Sequence, residues 1–254
     1  MKKVLGLCVS AITVLGFLSC RNSTESGNNP SQGRDTTALP KSTVALRENV
    51  LTSSDQAKLT PDVVLQDLKE GNKRYVSKTL TANDYIGMLH SSSTGQFPEA
   101  FVLSCIDSRV PVETVFDKGI GDLFVGRVAG NIADEDILGS IEYGCKVSGA
   151  KLIVVLGHES CGAIKAAIED ERMGNITAML AKLKPVLAKS KDFRGEQTVG
   201  NHDFVDYVVK NNVKSVIETI QKKSPILKEM IDKGQVKIAG AYYSFEDGSV
   251  SFLY

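Results

Sequence analysis

The sequence predicts an α/β fold on a mainly parallel β-sheet, four parallel strands plus one edge strand, flanked by α-helices. Three observations carry this reading. Apolar, β-branched runs at 100–106, 122–128, 151–157 and 236–243 read as strands, the runs at 100–106 and 151–157 as buried parallel ones. Segments with helical spacing or helix punctuation alternate with them, the pattern that right-handed crossovers between parallel strands produce. Ser249–Leu253 then reads as an added edge strand. The helices follow in order. Thr60-Pro61-Asp62 supplies an N-cap, a first-turn proline and an early acid, and opens a helix through about Ser77. Asn83 to about Ser92 reads as a short helix. Asp134–Val147 begins with acids and carries Ile137, Leu138, Ile141 and Cys145 at helical spacing. Cys161 opens a helix to about Glu171. Ile176–Lys189 and Phe204–Lys222 are amphipathic. Ser224-Pro225 caps a last helix that Gly234 ends.

Composition is that of a globular domain: 42% hydrophobic, 24% charged, with no formal net charge. No basic excess suggests nucleic acid, and no block of like charge suggests a polyelectrolyte partner. Lys2 and Lys3 precede an apolar stretch from Val4 to Leu18, and small Ser19 precedes Cys20. That is the plan of a secretory leader, shorter than the ~20 residues a spanning helix needs. Leu18-Ser19-Cys20, preceded by Phe17, also resembles the lipobox of bacterial lipoproteins, in which the cysteine is lipidated; plain secretion with cleavage nearby is the alternative. Arg21 to about Thr43 is rich in Ser, Asn, Thr and Gly, as a tether would be. The expected organisation is a signal peptide over 1–19, a flexible tether over 20–56 and one folded domain over 57–254. The protein is expected in the cell envelope or periplasm, touching membrane only through its N-terminal lipid.

Beyond Cys8 and Cys20 the cysteines are Cys105, Cys145 and Cys161. Cys105 and His158 each stand where an apolar run ends, which is where open α/β sheets bind ligands, and Cys161 follows three residues after His158. Two thiolates and an imidazole are what zinc takes in a catalytic site with an open fourth position. Inert packing is the bland alternative for a lone cysteine. A structural zinc site would want four ligands, usually from CxxC pairs, and the chain has none. Asp107 could serve as a fourth ligand. Asp107 and Arg109, two apart in the loop leaving the first strand, can face the same way and form a bidentate pair. The alternative is an exposed ion pair worth under about 1 kcal/mol. Cys145, in a predicted helix, reads as a packing residue.

These residues and their surroundings resemble the β-class carbonic anhydrases. The match runs through Cys-Ile-Asp-Ser-Arg-Val-Pro-Val-Glu (105–113), Asp-Leu-Phe-Val-Gly-Arg-Val-Ala-Gly-Asn (122–131) and Gly-Ser-Ile-Glu-Tyr (139–143). It continues in Leu-Gly-His-Glu-Ser-Cys-Gly-Ala (156–163) and Val-Lys-Ile-Ala-Gly-Ala-Tyr-Tyr (236–243) and covers about residues 60–254. The resemblance implies one zinc ion per subunit on Cys105, His158 and Cys161, and hydration of carbon dioxide to bicarbonate by zinc-bound hydroxide. It implies that the Asp107–Arg109 dyad orients this nucleophile, and that subunits pair through N-terminal helices as a homodimer or dimer of dimers. Gln96 matches a glutamine that reaches substrate across the dimer interface. Phe124 and Tyr143 match the aromatic pocket lining, with core packing as the alternative role, and Ala129 matches an apolar wall. The Gly162 amide could hold an oxygen of bicarbonate. His90 and His202 are candidate proton carriers only as the remaining histidines. Some members close the site by moving the dyad aspartate onto zinc, and these carry a tryptophan three residues before the first zinc cysteine. Val102 stands there in a chain without tryptophan. Arg127 is shared by both types. The expectation is therefore the open state, with Asp107 on Arg109. Two rivals are a related zinc hydrolase acting on carbonyl sulfide or carbon disulfide, and a non-catalytic zinc-binding envelope lipoprotein. The second would have no need of the dyad or of Gln96.

Overall fold

Strand β1 (Ala100–Ser104) offers water no polar face, and all five of its residues are buried. Such a run is stable only with a partner on each edge and a layer on each side. In the computed structural model, which describes residues 46–253, it has both. It pairs in parallel with β2 (Leu123–Arg127) and with β3 (Leu152–His158), whose seven residues are all buried. Beyond β3 lies parallel β4 (Lys237–Tyr243), then antiparallel β5 (Val250–Phe252). The order is β2-β1-β3-β4-β5. The chain leaves β1 toward β2 on one side, and β3 lies on the other. The carboxyl ends of β1 and β3 therefore form the switch point at which such sheets bind ligands.

Alternate side chains of β1 enter opposite layers. Ala100 and Val102 pack under α2 (Pro61–Val76) and α4 (Val112–Val115), against Val64, Leu68, Val115 and Phe116. Phe101 and Leu103 pack with α5 (Glu135–Glu142), α9 (His202–Lys223) and α10 (Pro225–Asp232), through Ile141, Val213, Ile220 and Leu227. Each such fully buried side chain stabilises the fold by ~1.5–3 kcal/mol of transfer free energy. A third cluster caps the carboxyl ends of the strands. There α6 (Gly162–Ile168), α7 (Gly174–Ala181), α8 (Lys184–Lys189) and the start of α9 enclose Cys105 and Cys161.

The helix starts follow the expected caps: Thr60 accepts from the Val63 amide, Asp134 from Ile137 and Ser224 from Leu227. A short helix, Tyr85–Ser91, lies within the expected 83–92, capped by Asp84. The segment Ile176–Lys189 is two helices, because Pro185 has no amide to donate back into a continuous one. The last turn of 134–147 is π-helical over Tyr143–Val147.

One boundary is corrected. The tether expected over 20–56 does not reach 56, because residues 46–56 are folded onto the sheet domain. Arg47 bonds Asn83 and ion-pairs with Asp122 at 2.6 Å. Ser53–Lys58 is a helix opened by a Thr52–Asp55 capping box. Buried Gln56 donates to the carbonyls of Pro98 and Ser148 at 2.7 and 2.8 Å. Composition hid this, since a capping box and a single buried amide look polar in sequence. The signal peptide, Cys20 and residues 20–45 of the tether lie outside the described residues.

Candidate metal centre

His158 is the last residue of β3 and is fully buried, Cys105 follows β1 directly, and Cys161 is the N-cap of α6. Their ligand atoms lie within 4.8 Å of one another. The His158 Nδ1 sits 2.9 Å from the Glu159 carbonyl, which can only accept. In the neutral imidazole Nδ1 therefore carries the proton and Nε2 the lone pair. Nε2 is buried and, among the described residues, has no hydrogen-bond partner. A buried, unpaired acceptor facing two thiols is costly unless a cation completes it. The Ser104 hydroxyl and the Asn131 amide nitrogen, near the same strand ends, are also buried and without a partner among the described residues. The residues present thus fit a metal with mixed sulfur and nitrogen ligands.

The two thiols interact strongly. The hydrogen bond from Cys161 outweighs burial and, with His158 and the amides of Gly130 and Asp107, pulls Cys105 down to about 4. That same bond, with burial, pushes Cys161 up against the help of the Ala163 and Ile164 amides. A divalent cation bound between the two thiols would displace their protons. Gly130 supplies its amide from the turn Ala129–Asn131 after β2, at φ +71°, where a Cβ would also crowd Leu183 and Ala163.

The loop leaving Cys105 is held from several sides. Arg109 grips Asp107 with Nε to Oδ1 at 3.0 Å and Nη2 to Oδ2 at 2.8 Å, and its amide also donates to Oδ1. The guanidinium holds the Asp107 carboxyl at about 2. Arg127, at the end of β2, donates to the carbonyls of Cys105 and Asp107. The Phe245 ring lies 4.1 Å from the Arg109 guanidinium carbon and 5.3 Å from the His158 ring. Glu159 accepts from the Phe245 amide at 2.7 Å. Sequence reading missed the parts played by Phe245 and Glu159. Glu159 lies inside a quoted motif, but its partner is on the β4–β5 turn and no local signal links them.

Of the other expected residues, Ala129 and Gly162 lie in the turns that hold the cluster, and Gly162 faces open space. Phe124, Tyr143 and Gln96 are not brought to this chain's own cluster. Phe124 pairs in register with Phe101, four residues before Cys105, or ~13 Å along the strand. It packs against Phe101 and, edge-on, against half-exposed Tyr143. Gln96 is exposed before the amino end of β1. His90 and His202 lie at the surface. Cys145 is buried, which pushes its thiol up to about 12.

Residues 100–250 match the carbonic anhydrase family model. Carbonic anhydrase 2 of Mycobacterium tuberculosis is 35% identical over 195 residues, covering 74% of this chain and 90% of that protein. The carbonic anhydrase of Mycolicibacterium smegmatis is 33% identical over 196 residues, covering 75% and 92%. Among solved structures, a tetrameric β-carbonic anhydrase of the ascomycete Sordaria macrospora superposes with a TM-score of 0.59 at 25% identity. That likeness covers 76% of this chain and 97% of the other.

Proposed function

The chain belongs to the β-class carbonic anhydrases, and from that premise we propose that it interconverts carbon dioxide with bicarbonate and a proton, on one zinc ion held by Cys105, His158 and Cys161. The observation that carries the reading is the Cys–His–Cys cluster with an ion-paired carboxylate two residues from its first ligand. Zinc bound there would supply the Lewis acidity that makes water a nucleophile near neutral pH. Asp107 stays charged because Arg109 occupies both its oxygens. It therefore accepts a hydrogen bond from the attacking water and fixes its orientation, without taking the proton. The resting state is the open one, with Asp107 on Arg109 rather than on the metal. Sigmoidal inhibition by bicarbonate would contradict that.

Ala129 forms an apolar wall, and the Gly162 amide faces a bicarbonate oxygen. Gln96, Phe124 and Tyr143 complete the pocket from a second subunit, in a homodimer or dimer of dimers. This assembly is supported by the exposed apolar side chains of Tyr85, Ile86, Leu89 and Ile106, and by the tetrameric Sordaria neighbour. The charged leader, apolar stretch and Leu18-Ser19-Cys20 support export and a lipid anchor on Cys20.

Stopped-flow hydration of carbon dioxide by the zinc-loaded protein tests the activity. Turnover of carbonyl sulfide without carbon dioxide hydration would assign the rival hydrolase, and no turnover of either would overturn the proposal. For the anchor, the native protein should partition into detergent with membranes, and Cys20→Ser should release it with turnover intact. Recovery of the native protein as an unacylated soluble species would reject the anchor.

A further inference from the structure

Arg109 presents a physical problem. Its side chain is 57% exposed, and among the described residues its guanidinium bonds only Asp107. An exposed ion pair two residues apart is weak, and a long side chain loses rotamer freedom in holding it. The amide bond from Arg109 to Asp107 fixes the carboxylate but not the guanidinium. What lies under the guanidinium is the ring of Phe245, 4.1 Å away, at cation–π distance.

Phe245 is itself held at three points, its ring at two of them. It meets the metal-facing His158 ring at 5.3 Å and the Tyr243 ring edge-on at 5.6 Å. Its backbone amide is fastened to the Glu159 carboxylate beside His158. Tyr243 pairs in register with His158, so the β4–β5 turn begins level with the metal ligand. The ring thus spans from the imidazole that would hold the metal to the guanidinium that aligns Asp107.

We propose that Phe245 is a positioning residue: its ring, anchored on His158, Tyr243 and Glu159, is the platform that keeps Arg109 aligned on Asp107. The inference rests on the carbonic anhydrase reading above, and assigns the β4–β5 turn a part in the same site.

The test is a double-mutant cycle with a metal readout. Phe245→Leu keeps apolar volume and removes the aromatic face, and Phe245→Tyr restores it. Phe245→Leu should keep one zinc per subunit by elemental analysis and lose roughly tenfold in kcat/KM for carbon dioxide. Phe245→Tyr should recover most of that. In an Arg109→Ala background, Phe245→Leu should cost nothing further, and a crystal structure of zinc-loaded Phe245→Leu should show Arg109 off the carboxylate. The inference is overturned by an undiminished kcat/KM in Phe245→Leu, or by an equal loss in both backgrounds. It is also overturned by zinc loss in step with activity, which would make the ring a support for His158 alone. Should the leucine variant not fold, Phe245→Met carries the same expectations. A wild-type protein that does not hydrate carbon dioxide, or an Arg109→Ala variant with full activity, would instead sink the functional reading. Either result would appear before any Phe245 variant was needed, and would take this inference with it.

Discussion

Cys105, His158 and Cys161 would divide the work of holding a cation unequally. The Glu159 carbonyl sets the tautomer of the neutral His158 ring, leaving Nε2 as its free donor to a cation. The hydrogen bond between the two thiols lowers Cys105 and raises Cys161. Each ligand is therefore needed, because two of these groups alone leave a trapped charge and too few donors. Cys161→Ala should abolish zinc binding by elemental analysis; full occupancy would refute the ligand set. Asp107→Asn should behave oppositely, keeping one zinc per subunit while kcat/KM falls roughly 10–100-fold, as for groups that orient a metal site from outside it. Metal loss in that variant would place Asp107 among the ligands instead. The ligands and the dyad were legible because cysteine, histidine and an Asp-x-Arg spacing declare their chemistry locally. Phe245 did not, since a phenylalanine after a strand looks like any other apolar residue until it is seen against Arg109.

At the scale of elements, the site is only as good as the fit of β3 on α9. Gly157, one residue before His158, lets the strand approach the helix. A Cβ there would stand 2.8 Å from Val213 Cγ2 and 2.9 Å from Val209 Cγ1. Gly157→Ala should cost about 1–3 kcal/mol in urea unfolding by overpacking and weaken zinc binding by moving His158. Unchanged stability and zinc affinity would show that the interface gives more easily than its geometry implies. A second element contact binds α2 to the loop ahead of the Tyr85–Ser91 helix. Buried Asp117 accepts from Arg74 at 2.5 Å and from the amide and hydroxyl of Thr81, both at 2.8 Å. Burial alone would raise this carboxyl, but those hydrogen bonds outweigh it, so the group sits below its ordinary value of 3.8. A carboxyl depressed in the folded state stabilises fully above its unfolded value, and the gain is lost as pH falls through the folded one. Arg74→Met should therefore destabilise by about 2 kcal/mol at pH 7, allowing for the partial exposure of Arg74. The difference from wild type should shrink on acidification below pH 3.8. A gap in urea midpoints that widened in acid would contradict the pairing.

For the whole molecule, the domain begins earlier than its composition suggests. Among the described residues, Arg47 and Gln56 tie the start of the domain to Asp122, Pro98 and Ser148. A protein starting at residue 44 should fold, bind zinc and turn over as the full chain does. One starting at residue 57 leaves the carbonyls of Pro98 and Ser148 without their partner and should unfold about 2–4 kcal/mol more easily. Equal urea midpoints for the two would put the boundary back at 57.

By itself the sequence determined the order of strands and helices, the parallel sheet and the three candidate ligands. Those rest on properties each segment carries alone: the apolar run of β1, the Thr60-Pro61 cap, the thiol and imidazole groups at strand ends. Only the tertiary structure decided that residues 46–56 belong to the fold, that Phe124 and Gln96 stand away from their own chain's cluster, and that Arg127, Glu159 and Phe245 gather around the loop leaving Cys105 and its neighbours. Those outcomes depend on strand register and on which turn meets which. A one-residue slip in register turns every side chain to the other face of the sheet, so no short stretch of sequence carries them.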